Sequence, residues 1–215
     1  MSDPVDARRR AWQDQRPVGP VQQLRLPEDG WEAGLAAADR AIDGGAGVLL
    51  LADGARCDSE TRALAALLAP VDASAVLAAG LSDLEWMQSC AGVRDAMADR
   101  RPQLGDLPAL LASAPAVAAA AAAIHRATAR RTPVVLAGAR AEVAATAALR
   151  VAGTVRSLLT LAVADPDPAA AVTRRRTALE PWSTLAWMPG DEAVAAMAMA
   201  LIADLDGPAA DETIA

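Results

Sequence analysis

The 215-residue chain contains no phenylalanine, no tyrosine and no lysine, so its 20 basic residues are all arginine. Without lysine there is no Schiff-base nucleophile and no phosphate-loop lysine. Without tyrosine there is no phenolic acid. The single histidine, His125, excludes a multi-histidine metal site. The two cysteines, Cys57 and Cys90, have no metal-ligand spacing, and free thiols in a reducing cytoplasm are the expectation. No secretory leader is evident, because Met1-Ser2-Asp3-Pro4 runs straight into charge. The alanine run over 116–123 is too short and too weakly apolar to cross a bilayer. Neither a membrane location nor a metal or other cofactor is expected.

What is abundant is alanine, which dominates a hydrophobic content of 53% and allows a sizeable core. The formal net charge of −7 repels polyphosphate, which argues against sequence-independent nucleic-acid binding. Arginine clusters at Arg8–Arg10, Arg130–Arg131 and Arg174–Arg176 read as solvated helix faces.

Along the chain, residues 1–28 carry four prolines and read as an irregular arm. Trp31, Leu35, Ala38 and Ile42 recur at helical spacing, and Gly44-Gly45 stops that helix. "AGVLLLADG" is a short apolar run bounded by glycines, which suits a buried parallel strand. Asp58 or Ser59 caps a helix over about 59–69, and another helix follows over 83–98. An alanine-rich stretch over 107–130 is divided by Pro115, which also suits the first turn of its second half. Then come a strand over 133–137, a helix over 141–151 and a strand over 157–163. "DPDP" at 165–168 starts another helix, 180–190 is a return segment, and a last helix covers 191–205. Strands alternating with helices predict an α/β fold with a mostly parallel sheet and right-handed crossovers.

The segment "RTPVVLAGARAEVAATAAL" over 131–149 runs from strand through glycine turn to helix, the usual place for a ligand in such a fold. With "ALEPWSTLAWMPGDEAVAAMAMAL" further on, it resembles the C-terminal half of the nicotinate-nucleotide–dimethylbenzimidazole phosphoribosyltransferases. Their patterns are P-V-V-L-D-G-F and E-P-x-L-x-x-x-M-R-L-G-E-G-T-G-A-A-L-A. "GWEAGLAAADRAIDGGAGVLLLADG" is similar to the family's helix and strand before a G-E-M-G-I-G-N-T-T loop. The resemblance covers about residues 30–205 and implies a three-layer, Rossmann-like sheet flanked by helices. It gives one domain over 29–205, with a frayed 206–215. It also implies a homodimer, to which Trp182, Trp187, Met188 and Met197 offer an apolar contact, although aromatic and methionine stripes at helical spacing more often face the core.

The family reaction is an inverting displacement at the ribose anomeric carbon, with a glutamate as general base and backbone amides on the phosphate. The resemblance puts that glutamate at Asp191, with Glu192 adjacent. Aspartate is shorter by about 1.5 Å, and a displacement of about 1 Å can cost on the order of 100-fold. Asp191 also suits a helix N-cap. If both residues are helical, Glu192 points about 100° away. Gly190 keeps the turn, but the following G-T-G is replaced by Ala193-Val194-Ala195. In the first turn only Gly138 persists, flanked by Ala137 and Ala139 where the family has Asp and Phe. The G-E-M-G-I-G-N-T-T loop falls on 53–61, placing Gly54, Arg56 and Ser59 as the remaining nucleotide- or phosphate-binding candidates. A Ser-His-x-Ser-x-Glu segment falls on 162–167, where Asp167 replaces the glutamate. The implied ligand is a mononucleotide or a benzimidazole-type base. So many lost contacts imply an altered or absent activity, or a non-catalytic descendant that binds or interacts.

Overall fold

The computed structural model describes residues 19–25, 29–53, 57–184, 198–200 and 202. Five strands form one sheet: β1 (Val21–Gln23), β2 (Val48–Ala52), β3 (Val134–Ala137), β4 (Leu159–Ala164) and β5 (Pro181–Thr184). They lie in sequence order and every neighbouring pair is parallel. The α-helices given ranges among the described residues are α1 (Trp31–Asp43), α2 (Ser59–Leu68), α3 (Asp83–Arg100), α4 (Leu107–Leu111), α5 (Pro115–Ala129), α6 (Ala139–Val151) and α7 (Pro168–Thr177). With consecutive strand order and one crossover hand, the connecting helices fall on one face.

Strand alternation shows the two faces directly. Leu49, Leu51, Val134, Leu136, Leu159 and Leu161 join the main core with the helices. Val48, Leu50, Val135 and Ala137 point the other way, into a smaller cluster with Ala198 and Ile202. The alternation breaks once. Leu136 pairs with Leu161 but Ala137 pairs with Val163, so Ala162 is an extra residue in β4. Ala162 and Val163 consequently both face the smaller cluster. This bulge bends β4 just before the sheet's carboxyl edge, where bulges commonly re-aim a side chain.

The α/β architecture and the strand and helix positions follow the pattern in the sequence. Three details differ. Val21–Gln23, within the segment read as irregular, forms an edge strand on β2 in the register Val21 to Val48. Pro181–Thr184, within the segment read as a return, forms a strand. The buried face of α1 is Gly34, Ala37, Ala38 and Ala41, whereas Trp31, Leu35 and Ile42 are only partly covered. The cause is α5, which packs so closely that a side-chain carbon on Gly34 would collide with the Ala119 backbone. Small residues let two helices approach the short end of the usual range of about 8–10 Å. The alanine run is thus a buried helix face, with 117–124 all inside. Pro115 occupies its first turn. His125 lies against Trp31 with ring centroids 6.1 Å apart.

Among the described residues no helix is long and apolar enough to cross a membrane. Most of the last helix expected over 191–205 lies outside the described residues, although 198–200 and 202 are helical.

Candidate functional site at the carboxyl edge of the sheet

β2, β3 and β4 end side by side, and the chain places one residue at the edge after each: Asp53 after β2, Gly138 after β3 and Asp165 after β4. Gly138 has φ 101° and ψ 158°, a conformation nearly confined to glycine. That turn starts α6 with its first amides aimed along the carboxyl edge.

The Ala139 amide donates to Asp165 Oδ2 at 3.1 Å. The Asp167 amide donates to Asp165 Oδ1 at 2.8 Å. Asp165 is buried, and desolvation raises the pKa of its carboxyl above the ordinary value. One turn into α6, Glu142 is only 2% exposed. Its Oε1 accepts the Asp165 amide at 3.0 Å, and both its oxygens accept from Arg174 at 2.9 Å. Burial outweighs Arg174 and pushes the Glu142 pKa up to about 8.

Asp167 continues the chain of contacts. It caps α7 by accepting the Ala169 amide at 2.8 Å, and it receives Arg62 through two bonds of 3.0 and 2.7 Å. Arg62 also donates to the Cys57 carbonyl at 3.1 Å and to the Val76 carbonyl. Burial, with Asp167 adding to it, pushes the Cys57 thiol far up, which disfavours the thiolate. Arg140, in the first turn of α6, clamps Asp53 just after β2 through contacts of 2.7 and 2.9 Å.

Beside this network lies a cavity of about 480 Å³, lined by Ser59, Arg62, Leu77, Gln88 and Ser89 among others. Among the described residues its wall holds neither carboxylate nor histidine. No cluster of three or more His, Cys, Asp or Glu suited to a metal occurs among the described residues.

Of the residues singled out in the sequence as site candidates, the structure describes two. Gly138 sits at the turn, and Ser59 lines the cavity, linked to the turn through Arg62, Asp167 and Asp165. Asp58, not Ser59, caps α2, accepting the Thr61 amide at 2.7 Å. Gly54, Arg56, Gly190, Asp191 and Glu192 lie outside the described residues, as do Trp187, Met188 and Met197. Trp182 packs against the smaller core cluster. Arg174 is not part of a solvated face, because it is partly buried against Glu142, whereas Arg175 and Arg176 are exposed. Sequence reasoning missed Arg62, Glu142 and the Arg140–Asp53 clamp. The available signal was a charge set directly against an apolar helical run, with "ALAALL" following Arg62 and "VAATAAL" following Glu142.

An all-parallel sheet with a glycine turn feeding a helix N-terminus at its carboxyl edge defines an α/β protein with helices flanking a parallel sheet. The phosphoribosyltransferase family matches residues 26–204, and the chain belongs to that family. It is 34% identical over 185 residues to the nicotinate-nucleotide–dimethylbenzimidazole phosphoribosyltransferase of Streptomyces avermitilis, covering 83% of this chain and 49% of that one. The enzyme of the same name from Streptomyces coelicolor is 37% identical over 102 residues, 43% of this chain and 28% of its own length. The crystal structure of the enzyme of that name from Thermus thermophilus superposes with a TM-score of 0.69 at 24% identity, covering 81% of this chain and 53% of that one. The chain therefore spans about half the length of the Streptomyces avermitilis and Thermus thermophilus relatives.

Proposed function

We propose that this chain keeps the nucleotide-cleft framework of the nicotinate-nucleotide–dimethylbenzimidazole phosphoribosyltransferases, with their transfer activity altered or lost. The supporting observation is the bond from the Ala139 amide to Asp165. A helix N-terminus after a glycine turn is a natural phosphate seat. Here a buried carboxylate of the chain itself fills it, and an incoming phosphate meets like charge at short range. Asp191 is the proposed position of any remaining base, with Glu192 beside it. Gly54, Arg56, Ser59, Gly138 and Gly190 are the proposed remains of the nucleotide cleft. The protein is proposed to be a cytoplasmic homodimer, and a monomer in light scattering at micromolar concentration overturns that.

Incubation of the purified protein with nicotinate mononucleotide and dimethylbenzimidazole tests the activity. The expected result is no nicotinate release above a buffer blank. Release that disappears in Asp191→Asn overturns the loss of activity and restores Asp191 as the base. The same filled seat also favours a second reading, a non-catalytic binding or interaction protein. Titration with nicotinate mononucleotide addresses it, because micromolar affinity contradicts a seat closed to phosphate.

A further inference from the structure

The opposite edge of the molecule carries a second concavity, where α2, α6 and α7 end. It encloses about 310 Å³, and three of its lining residues are arginines: Arg150, Arg156 and Arg176. No carboxylate lines it among the described residues. Such a concentration of positive charge is unexpected in a chain with a net charge of −7. Arg156 gives one N–H to the Ala178 carbonyl at 3.0 Å. Arg150 and Arg176 make no ion pair or side-chain hydrogen bond among the described residues. A guanidinium has five N–H donors, so most of this cleft's donors are unspent. Elsewhere among the described residues Arg62, Arg126, Arg130, Arg140 and Arg174 have carboxylate partners, whereas Arg25, Arg40, Arg101, Arg131 and Arg175 are exposed arginines that do not share a hollow with two others as the exposed Arg150, Arg156 and Arg176 do.

The rest of the wall explains what sort of anion fits. Thr146 and Thr177 both border the cleft, but each hydroxyl already donates to a carbonyl, Glu142 and Arg174 respectively, at 3.1 Å. Recognition therefore falls to the guanidiniums, which favour oxyanions that accept forked pairs of bonds. Three cations around one hollow match a compact anion of high charge better than a monoanion. Leu149 and Gly153 leave part of the wall apolar or open. We infer that the cleft of Arg150, Arg156 and Arg176 is a second binding site, separate from the carboxyl-edge site, for a small oligophosphate. Pyrophosphate and the phosphate chain of a nucleotide share that chemistry.

Arginines at helix ends also offset the helix dipoles, and arginines that do only this hold no anion. Calorimetric titration of the full chain with pyrophosphate, with adenosine triphosphate and with adenosine separates the two roles. The expected result is saturable binding of pyrophosphate that weakens as salt is raised. Affinity falls about tenfold or more in Arg150→Gln/Arg176→Gln and by a smaller factor in Arg150→Lys/Arg176→Lys, which keeps the charge but loses the fork. Equal binding of the two phosphates assigns the site to the phosphate chain, and preference for the nucleotide adds a base contact. Both results support the inference. Absence of saturable pyrophosphate binding, an unchanged affinity in the glutamine pair, or binding of adenosine alone overturns it. Arg156→Gln is the second variant, expected to weaken pyrophosphate binding severalfold should the paired substitution disturb folding.

Discussion

Asp165 sits at the mouth of the Gly138 turn and accepts the Ala139 amide through one oxygen and the Asp167 amide through the other, at 3.1 and 2.8 Å. One carboxylate therefore satisfies the start of α6 and the approach to α7 together. In Asp165→Ala both buried or partly buried amides lose their acceptor, at about 1–3 kcal/mol each. The expected outcome is a melting temperature lower by at least about 5 °C. Millimolar inorganic phosphate is expected to restore part of this in the variant beyond any effect on the parent protein. A variant that melts like the parent shows that the carboxylate does not hold the turn.

The burial of Glu142 has a consequence for pH dependence. Its pKa in the folded chain is about 8, above the ordinary 4.5, so the folded state binds more protons than the unfolded state between those values. Unfolding free energy then falls as pH rises through that window, by linkage. Asp165 is raised as well and adds in the same direction. Melting temperatures taken from about pH 5 to about pH 8 are expected to decline steadily, with the slope flattened in Glu142→Gln. A melting temperature that rises over that range contradicts the assignment.

Gly138 marks how far the sequence alone could be read. The turn was legible because strand, glycine and helix follow one another in a few residues, and the backbone at φ 101° does require glycine. Gly138→Ala is expected to destabilise the fold by about 1–3 kcal/mol, measured by denaturant unfolding. The groups that fill the turn were not legible in the same way. Asp165 comes 26 residues after Ala139, and Arg62 meets Asp167 across 105 residues. The pairing of β3 with β4, with its bulge at Ala162, brings Asp165 to Ala139, and the packing of α2 against α7 brings Arg62 to Asp167. Periodicity reports which face of an element is apolar, but it does not report which distant charge meets which. The same limit explains Arg174, whose neighbours Arg175 and Arg176 are solvent-exposed while it is not.

Packing of α1 on α5 sets another expectation. A side chain at Gly34 meets the Ala119 backbone, which no rotamer change relieves. Gly34→Val forces the two helices apart, and overpacking of this kind costs about 1–3 kcal/mol or more. Gly92→Ala serves as the comparison, because nothing lies within 4 Å of a side-chain carbon there. Its helix is expected to gain slightly from alanine's better propensity, by about 0.5–1 kcal/mol. Equal stabilities of the two variants overturn the close-packing account.

Arg62 and Asp167 form a largely buried pair, with side chains 10% and 15% exposed. Removing one partner strands the other charge, at about 3–5 kcal/mol. Asp167 also caps α7, and loss of a cap alone costs about 1 kcal/mol. The two contributions separate by choice of substitution. Asp167→Asn retains an oxygen for the Ala169 amide and loses the charge, whereas Asp167→Ala loses both. The asparagine variant is therefore expected to show most of the alanine variant's loss in denaturant unfolding. Adding Arg62→Met to Asp167→Ala is expected to recover part of that loss, because the stranded guanidinium is gone, although the Cys57 and Val76 carbonyls then lose their donor. If Asp167→Asn is as stable as the parent, the residue acts as a cap and the ion pair contributes nothing to holding β4 against α2.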